Sequence, residues 1–595
     1  MTNHKQQAEN ASIQSFLNCY LRETQAFEEV YEAVNHLNWS GVTPNRWIKI
    51  ELKKQRSTIY AALKHWSLTG RHLYHFPILY ENNENVIPLD YISLVSILSK
   101  ELLLKQDRED AEDELMLRTI LSKKNIQRYL EAREDDSKSL ESSEFTFIEA
   151  EQSLLFGHLL HPTPKSKQGM SDEDESLYSP ELKGMFQLHF FQADKSIIDQ
   201  DTADEVTAEE ITRMLLQRDE KFTKQVEYDD ESVFIPVHPL QVQVLLNDSF
   251  VQTLIKDNKL SYIGPFGELF SATSSMRSVY SPNFKYMFKF SVPVKITNSL
   301  RVNLEKELHR GVEVSRLMQS KIGQEMQEIY PSFQIIKDPA FLNIPTNKET
   351  SGFEVVIREN PFYDNDKNAS LIAGLCQDHG FGGNSRIASI IHDIAQRESR
   401  TTEEVSKDWF LQYLTITLDP MLWLYERYGV ALEAHQQNSI VQLENGYPKR
   451  FYYRDNQGYY YSESKADLLV KQLPSLNRKS VTICSDEVAI ERFRYYFFMN
   501  HLFGLINGFG AANLIEEEDL MDILRHRLMH HDTLTDGKSG LIRSLLDAEE
   551  LPCKANLLTR FHDMDELVGS LETQSVYTKI RNPLQKVMKS DAARI

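Results

Sequence analysis

Hydrophobic residues recur at helical spacing in several stretches of this chain. Phe27, Val30, Tyr31, Val34 and Leu37 form one stripe of period 3.6. Tyr91–Gln106 holds another, so residues up to about Leu140 read as mainly helical. Between the stripes, Trp47–Leu52 and Ser57–Leu63 can form strands of a small sheet. The polar run Glu134–Ser143 has no period and reads as a solvated loop at a lobe boundary. Beyond it, Phe145–Gly157 is helical in pattern, while Met185–Phe191, Phe234–Val237, Phe288–Thr297 and Phe353–Ile357 read as strands. Pro293 makes Phe288–Thr297 an edge strand or a bulged one. Pro236 and Pro239 fix the backbone on either side of His238. From about Ser389 helices return. Val405–Tyr428 is long and amphipathic with an interruption near Asp419-Pro420, and Glu487–Asn507 and Leu551–Leu567 are further helices. Ser439–Leu443 and Lys449–Arg454 make a strand pair turned at Asn445-Gly446.

Length adds that 595 residues exceed one core, so two or three lobes are expected. A net charge of −21 argues against a general nucleic-acid binder, which needs a basic field. The same charge can steer a cationic substrate such as a polyamine, or serve solubility alone. The cysteines Cys19, Cys376, Cys484 and Cys553 are scattered without a CxxC pair, which argues against a disulfide framework and fits a reducing cytoplasm. The first residues lack the apolar core of a signal peptide, and no apolar run is long enough to span a bilayer. A cytoplasmic protein is expected.

Polar chemistry is concentrated in a few short runs. Leu432-Glu433-Ala434-His435-Gln436-Gln437-Asn438 packs an acid, an imidazole and three amides behind an apolar helix, and Arg454-Asp455 lies across the hairpin from it. If Glu433 and Asp455 sit at neighbouring strand ends they can share Mg2+ with the Asn438 carbonyl, His435 then facing a carboxylate substrate; the alternative is a capped loop with a buried histidine. Gly157–Gly169 carries His158, His161, Lys165 and Lys167. It is either a phosphate-approaching loop or a proline-rich connector, and its order is not that of a Walker A loop. Thr273-Ser274-Ser275-Met276-Arg277 offers hydroxyls and a guanidinium for an anion, or an ST-turn with a surface arginine. Lys289, Lys295, Thr297, Asn298, Arg301 and Asn303 decorate the Phe288–Ile296 strand and the residues just after it. Lys289, Lys295 and Thr297 are expected on one face, lining an anion channel or a solvated edge. These runs together describe an anion site with magnesium and leave the reaction open.

The motifs as a set resemble the siderophore synthetases that work independently of nonribosomal peptide synthetases, the aerobactin-synthetase-like family. The matching elements are Gly157-His158, His161-Pro162 and Lys165, Pro236-Val237-His238-Pro239, Ser274-Ser275-Met276-Arg277, Lys289 with Ile296-Thr297-Asn298 and Arg301, Glu433–Asn438, Arg454-Asp455, and Lys554-Ala555-Asn556-Leu557. Leu240 and Ser278 depart from the family's usual aromatic and threonine. Ser12–Thr24, Glu149–Gln168 and Arg454-Asp455-Asn456-Gln457-Gly458 look like the petrobactin-pathway members that join citrate to spermidine.

The resemblance implies an α+β, cupped-hand fold. Residues 1–140 would form a mostly helical thumb, 141–388 a fingers lobe with nucleotide-binding elements, and 389–595 a palm with the magnesium and carboxylate elements. It implies an ATP-dependent ligase that adenylates citrate and passes it to a polyamine, commonly as a homodimer. By carry-over, His158, Lys165, Ser275, Arg277, Lys289 and Arg301 would hold ATP. Thr297, Arg301, His435, Gln437 and Lys554, the last on a helix, would meet the acid and acyl group. Glu433, Asn438 and Asp455 would bind Mg2+. Arg277, Lys289, Arg301 and His435 would carry the chemistry. The alternative within the family is another carboxylic acid, or a citryl monoamide, with another amine.

Overall fold

The computed structural model describes residues 4–31, 37, 46–83, 85–106, 112–297, 299–455, 457–562 and 576–585. Val34, Asn298, Asn456 and the tail of the expected 551–567 helix lie outside them. Helices and mainly antiparallel sheets alternate along the chain, an α+β architecture. Among the described residues no helix is long and apolar enough to cross a membrane.

The N-terminal part is less helical than its stripes imply. The helix His4–Thr24 ends where Gln25 turns left-handed at φ 51°, and Glu28–Val30 then pairs antiparallel with Trp47–Lys49. The Phe27–Leu37 helix is therefore corrected to an edge strand where it is described. A five-stranded sheet comes next, built from Glu28–Val30, Trp47–Leu52, Ser57–His65, Leu73–Asn82 and Asn85–Leu89. Tyr91–Gln106 is the expected helix, and its Leu94, Val95 and Leu98 share one core with Phe16, Leu17, Ile48 and Ile59. The run Glu134–Ser143, expected to be a loop, opens instead with two short helical turns, Glu134–Asp136 and Ser137–Leu140, which prolong the helix Glu112–Arg133. Arg133 anchors that junction by donating Nη1 to the Gln152 and Glu181 carbonyls at 2.8 and 2.9 Å.

The central part is an eight-stranded antiparallel sheet. Its order is Asp199–Thr202, Ala340–Asn343, Val355–Glu359, Tyr286–Phe290, Ser278–Tyr280, Leu260–Ala272, Met185–Asp194 and Ser232–Val237. Phe288, Phe290, Val292 and Val294 point into its core. The strand expected over Phe288–Thr297 stops at Phe290. Pro293 cannot donate to a ladder, and the segment pairs back on itself: Val292 N–H reaches the Arg301 carbonyl at 2.8 Å and Arg301 N–H the Val294 carbonyl at 3.0 Å. Lys289 is buried in the sheet, while Lys295 belongs to a separate two-residue strand, so the shared cationic face does not form. Phe145–Gly157 is helical only over Phe147–Glu151, capped by Thr146 and Glu149.

The C-terminal part surrounds the helix Thr402–Tyr428. The helix runs through Pro420 without the expected interruption. The missing proline N–H forfeits a hydrogen bond, and a buried face from Val405 to Tyr425 holds the helix together across it. Ser439–Glu444 and Tyr447–Arg454 form the expected hairpin; Asn445 and Gly446, at φ 54° and 84°, supply its left-handed turn. Glu487–Asn507 is helical but passes through a π-helical segment, Arg494–Leu502. Leu551–Leu567 is corrected: Glu550–Lys554 is a strand paired with Tyr577–Arg581, and Asn556–Phe561 is a short helix. Pairing with a distant strand outweighs local pattern there. Lys554 thus ends a strand and does not lie on a helix.

Phe451 is fully buried, with its ring stacked on Phe333 at 5.6 Å and edge-on to Tyr413 at 6.4 Å. Phe451→Ala is expected to lower stability by about 3–5 kcal/mol, read as a drop in urea midpoint. Leu468→Ala, at a site 43% exposed, is the control expected to leave the midpoint unchanged.

Candidate active site

The polar runs converge. His158, Lys165, Ser275, Arg277, Lys289, Thr297, Arg301, Glu433, His435, Gln437, Asn438, Asp455 and Lys554 all line one cavity of about 370 Å³. They arrive from the loop after Phe147–Glu151, from the turn between two strands of the large sheet, from the strand Tyr286–Phe290 and the segment that follows it to Arg301, and from the ends of three C-terminal strands and the run after the first of them.

Arg277 follows Met276, whose left-handed φ of 67° closes the Thr273–Met276 turn. Its guanidinium is buried and donates to the Val302 carbonyl at 2.7 Å, Asn303 Oδ1 at 3.1 Å and Gln457 Oε1 at 3.2 Å. Burial and the neighbouring Arg301 pull its pKa down to about 10. Lys289 reaches Asp455 Oδ1 at 3.1 Å, and burial lowers its pKa to about 8. Burial works to raise the Asp455 pKa, but Lys289 and Arg358 outweigh it and hold this carboxylate well below its ordinary range. Buried cations of lowered pKa mark a pocket short of negative charge, as an anion site is.

Glu433 and Asp455 each stand one residue beyond a strand end, Val430–Leu432 and Tyr447–Arg454. Burial, then the charge of Asp455, raises Glu433 to about 7. Tyr460 donates its hydroxyl to Glu433 Oε2 at 3.1 Å. Asn438 donates Nδ2 to the Glu433 carbonyl at 3.2 Å and to Asp455 Oδ2 at 3.3 Å. His435 is neutral at physiological pH, because burial lowers it to about 4. Its Nδ1 accepts the backbone N–H groups of Gln437 and Asn438 at 3.2 and 3.3 Å, so the proton lies on Nε2. Gln437 donates Nε2 to Ser274 Oγ at 3.2 Å, and Ser275 Oγ accepts the Ser278 N–H at 3.2 Å.

Thr297 holds φ 53°, an uncommon conformation for a β-branched residue. Arg118 donates to its carbonyl, and Arg301 donates Nη2 to its Oγ1 at 3.2 Å and to the Ile296 carbonyl at 3.1 Å. Lys165 pairs with Glu181, and Lys167 with Glu181 and Glu175 at 2.9 and 3.1 Å. The glycine-flanked loop is therefore a buried ion cluster at the cavity wall. His158 shares a 2.9 Å hydrogen bond, through Nε2, with Asn500 Nδ2.

Several cavity residues carry no signal in the sequence. Arg358 is locked to Asp338 by bonds of 2.6 and 2.9 Å. Glu151 is buried beneath the floor, its Oε2 accepting from Arg454 Nη2 at 3.1 Å and from the Ser274 N–H at 2.9 Å. Tyr495, Tyr496, Met499 and Asn500 come from the π-helical segment, whose extra residue per turn is common at functional sites. The aromatic density of Arg494–Leu502 is visible in the sequence, but the wider helical turn that aims it is not.

The family model described as IucA / IucC family matches residues 146–377, and that described as ferric iron reductase FhuF-like transporter matches residues 407–569. A spermidine-citrate ligase of Bacillus anthracis is 45% identical over 98% of this chain and 99% of its own length. The rhizobactin siderophore biosynthesis protein RhbC of Rhizobium meliloti is 34% identical, again over 98% of this chain and 99% of its own. The solved ATP-bound aerobactin synthetase IucA of Klebsiella pneumoniae superposes with a TM-score of 0.87 at 25% identity, covering 96% of this chain and 99% of that one. The chain belongs to the IucA/IucC family of siderophore synthetases that work independently of nonribosomal peptide synthetases.

Proposed function

We propose that this protein is an ATP-dependent acid–amine ligase that adenylates a carboxylate of citrate and joins it to a primary amine of spermidine, for siderophore synthesis. The carrying observation is that Arg277, Lys289 and Arg301 meet Glu433 and Asp455 at one cavity. Buried cations suit a nucleotide and a tricarboxylate. Likeness to the spermidine-citrate ligase of Bacillus anthracis supports the choice of acid and amine.

In this reading a citrate carboxylate oxygen attacks the α-phosphorus of ATP. A new O–P bond forms as the bond to pyrophosphate breaks. His158, Lys165, Ser275, Arg277 and Lys289 hold the phosphates, Lys165 exchanging Glu181 for them. Thr297, Arg301, His435 and Gln437 hold citrate, with the His435 Nε2–H donating to a carboxylate. Fixed donors aimed at developing charge lower the barrier without reorganising during the step. The amine then attacks the acyl carbon, the C–O bond to AMP breaks, and the amine's surplus proton leaves to solvent. Lys554 stands at the cavity wall within reach of the acyl group.

The carboxylates Glu433 and Asp455 fit a hard divalent ion, because each is an oxygen donor and the first is raised by burial and then by the charge of the second. With its Nδ2 engaged, Asn438 has Oδ1 left as a third donor. Mg2+ held there would neutralise phosphate charge.

Incubation with ATP, Mg2+, citrate and spermidine should yield a citryl-spermidine amide by mass, with AMP and pyrophosphate. Formation of ADP, or pyrophosphate release that does not depend on citrate, would count against the proposal. Arg301→Ala should lower citrate-dependent pyrophosphate release by about a hundred- to a thousandfold with the circular dichroism unchanged. His435→Ala should weaken citrate more than ATP; equal losses would make His435 structural. Lys289 must be charged to bind phosphate, and its free pKa is about 8. ATP kcat/KM should therefore fall as pH rises above 8, by up to about tenfold per unit. Lys289→Arg should move that limb upward.

A further inference from the structure

A second cluster of ligating side chains lies away from this cavity. Asp199 opens the edge strand of the eight-stranded sheet, in register with Asn343. Glu305 and His309 stand one turn apart on the helix Glu305–Gln319, which packs on that edge through Leu308, Val312, Phe341 and Val356. One donor atom from each of Asp199, Glu305 and His309 lies within 4.8 Å of the others. None of the three lines the large cavity.

The histidine distinguishes this cluster from ordinary acids at a helix start. Its side chain is 8% exposed, and its ring meets Phe341 edge-on at 5.0 Å. Its buried Nε2 has no hydrogen-bond partner among the described residues, and the nearest ion-pairing oxygen, Glu305 Oε1, is 3.8 Å away. An unsatisfied buried ring nitrogen is costly, and this one stands 3.8 Å from the Glu305 carboxylate on a ring that lies within ligating reach of Asp199 as well.

We propose that Asp199, Glu305 and His309 form a site for a first-row divalent transition ion, of which Zn2+ is the representative. One imidazole and two carboxylates suit that class better than Mg2+ or Ca2+, which favour oxygen alone. Tetrahedral Zn2+ with ligands at about 2.0–2.1 Å sets donors roughly 3.3 Å apart. The side chain of Glu305, 71% exposed, can swing in to close that gap, and its exposure leaves an entry path and room for a water ligand. The ion would clip the start of the helix to the sheet edge. That start lies two residues after Asn303, whose Oδ1 accepts from Arg277, so the clip would also steady one wall of the catalytic cavity.

Chelator-stripped protein, dialysed against Zn2+ with excess Mg2+ present, tests this by stoichiometry. Wild type should bind one more Zn2+ per chain than Glu305→Gln or His309→Gln, and each variant should weaken that site by at least about a hundredfold. Glu433→Gln, in the large cavity, should keep it. Co2+ in place of Zn2+ should give visible absorption bands in wild type that Glu305→Gln lacks. Because Glu305 is exposed, its variant keeps the fold even if His309→Gln does not. Equal Zn2+ stoichiometry and unchanged Co2+ bands in Glu305→Gln overturn the site.

Discussion

The ion pair of Lys289 and Asp455 is the interaction around which the cavity is organised. Lys289 rises from the middle of the large sheet, and Asp455 leaves the end of a strand in a different sheet. Lys289 is buried and the Asp455 side chain is only 12% exposed, so each charge depends on the other. Asp455 also receives the Gln457 N–H at 3.2 Å and the Asn438 amide, and Gln457 in turn joins Arg277 to Glu307. One ion pair thus ties the strand that carries the cations to the loop that carries the acids.

Around that pair the charges are arranged in two grades. Some cations are fully compensated. Arg358 is held bidentately by Asp338, and Arg454 is paired through Nη2 with Glu151. Arg277 is different, because its hydrogen bonds to Val302, Asn303 and Gln457 end on carbonyl and amide oxygens, which satisfy geometry without cancelling charge. A guanidinium oriented but not neutralised is prepared for an incoming anion. The Lys165–Glu181 and Lys167–Glu175 cluster lines another part of the cavity, where each ammonium is already paired with a carboxylate of the chain.

The scaffold explains why these groups hold position. The turn at Met276, the strained Thr297 and the foldback at Pro293 lie on short segments between rigid strands, where neighbours over-determine them. The Glu433–Asn438 run is braced from below, where His501 Nδ1 meets the Ala434 carbonyl at 2.8 Å and its Nε2 shares a 2.5 Å hydrogen bond with the Tyr413 hydroxyl. The long helix through Pro420 therefore supports the catalytic run from within the core.

Local patterns in the chain were enough to specify the ingredients: the helix Tyr91–Gln106, the Asn445-Gly446 hairpin, and the polar runs whose residues now face one cavity. Helix period, turn chemistry and polar density are properties of neighbours in the chain, so they can be read there. The same patterns mislead at Phe27–Leu37, Phe288–Thr297 and Leu551–Leu567, where pairing with a remote strand or a foldback outweighs them. Which charges meet is settled in three dimensions alone. The Lys289–Asp455 pair, the Arg454–Glu151 pair and the capture of Lys165 by Glu181 depend on how segments cross in space. Burial then sets each group's charge, because desolvation acts on a position in the fold and not on a residue type.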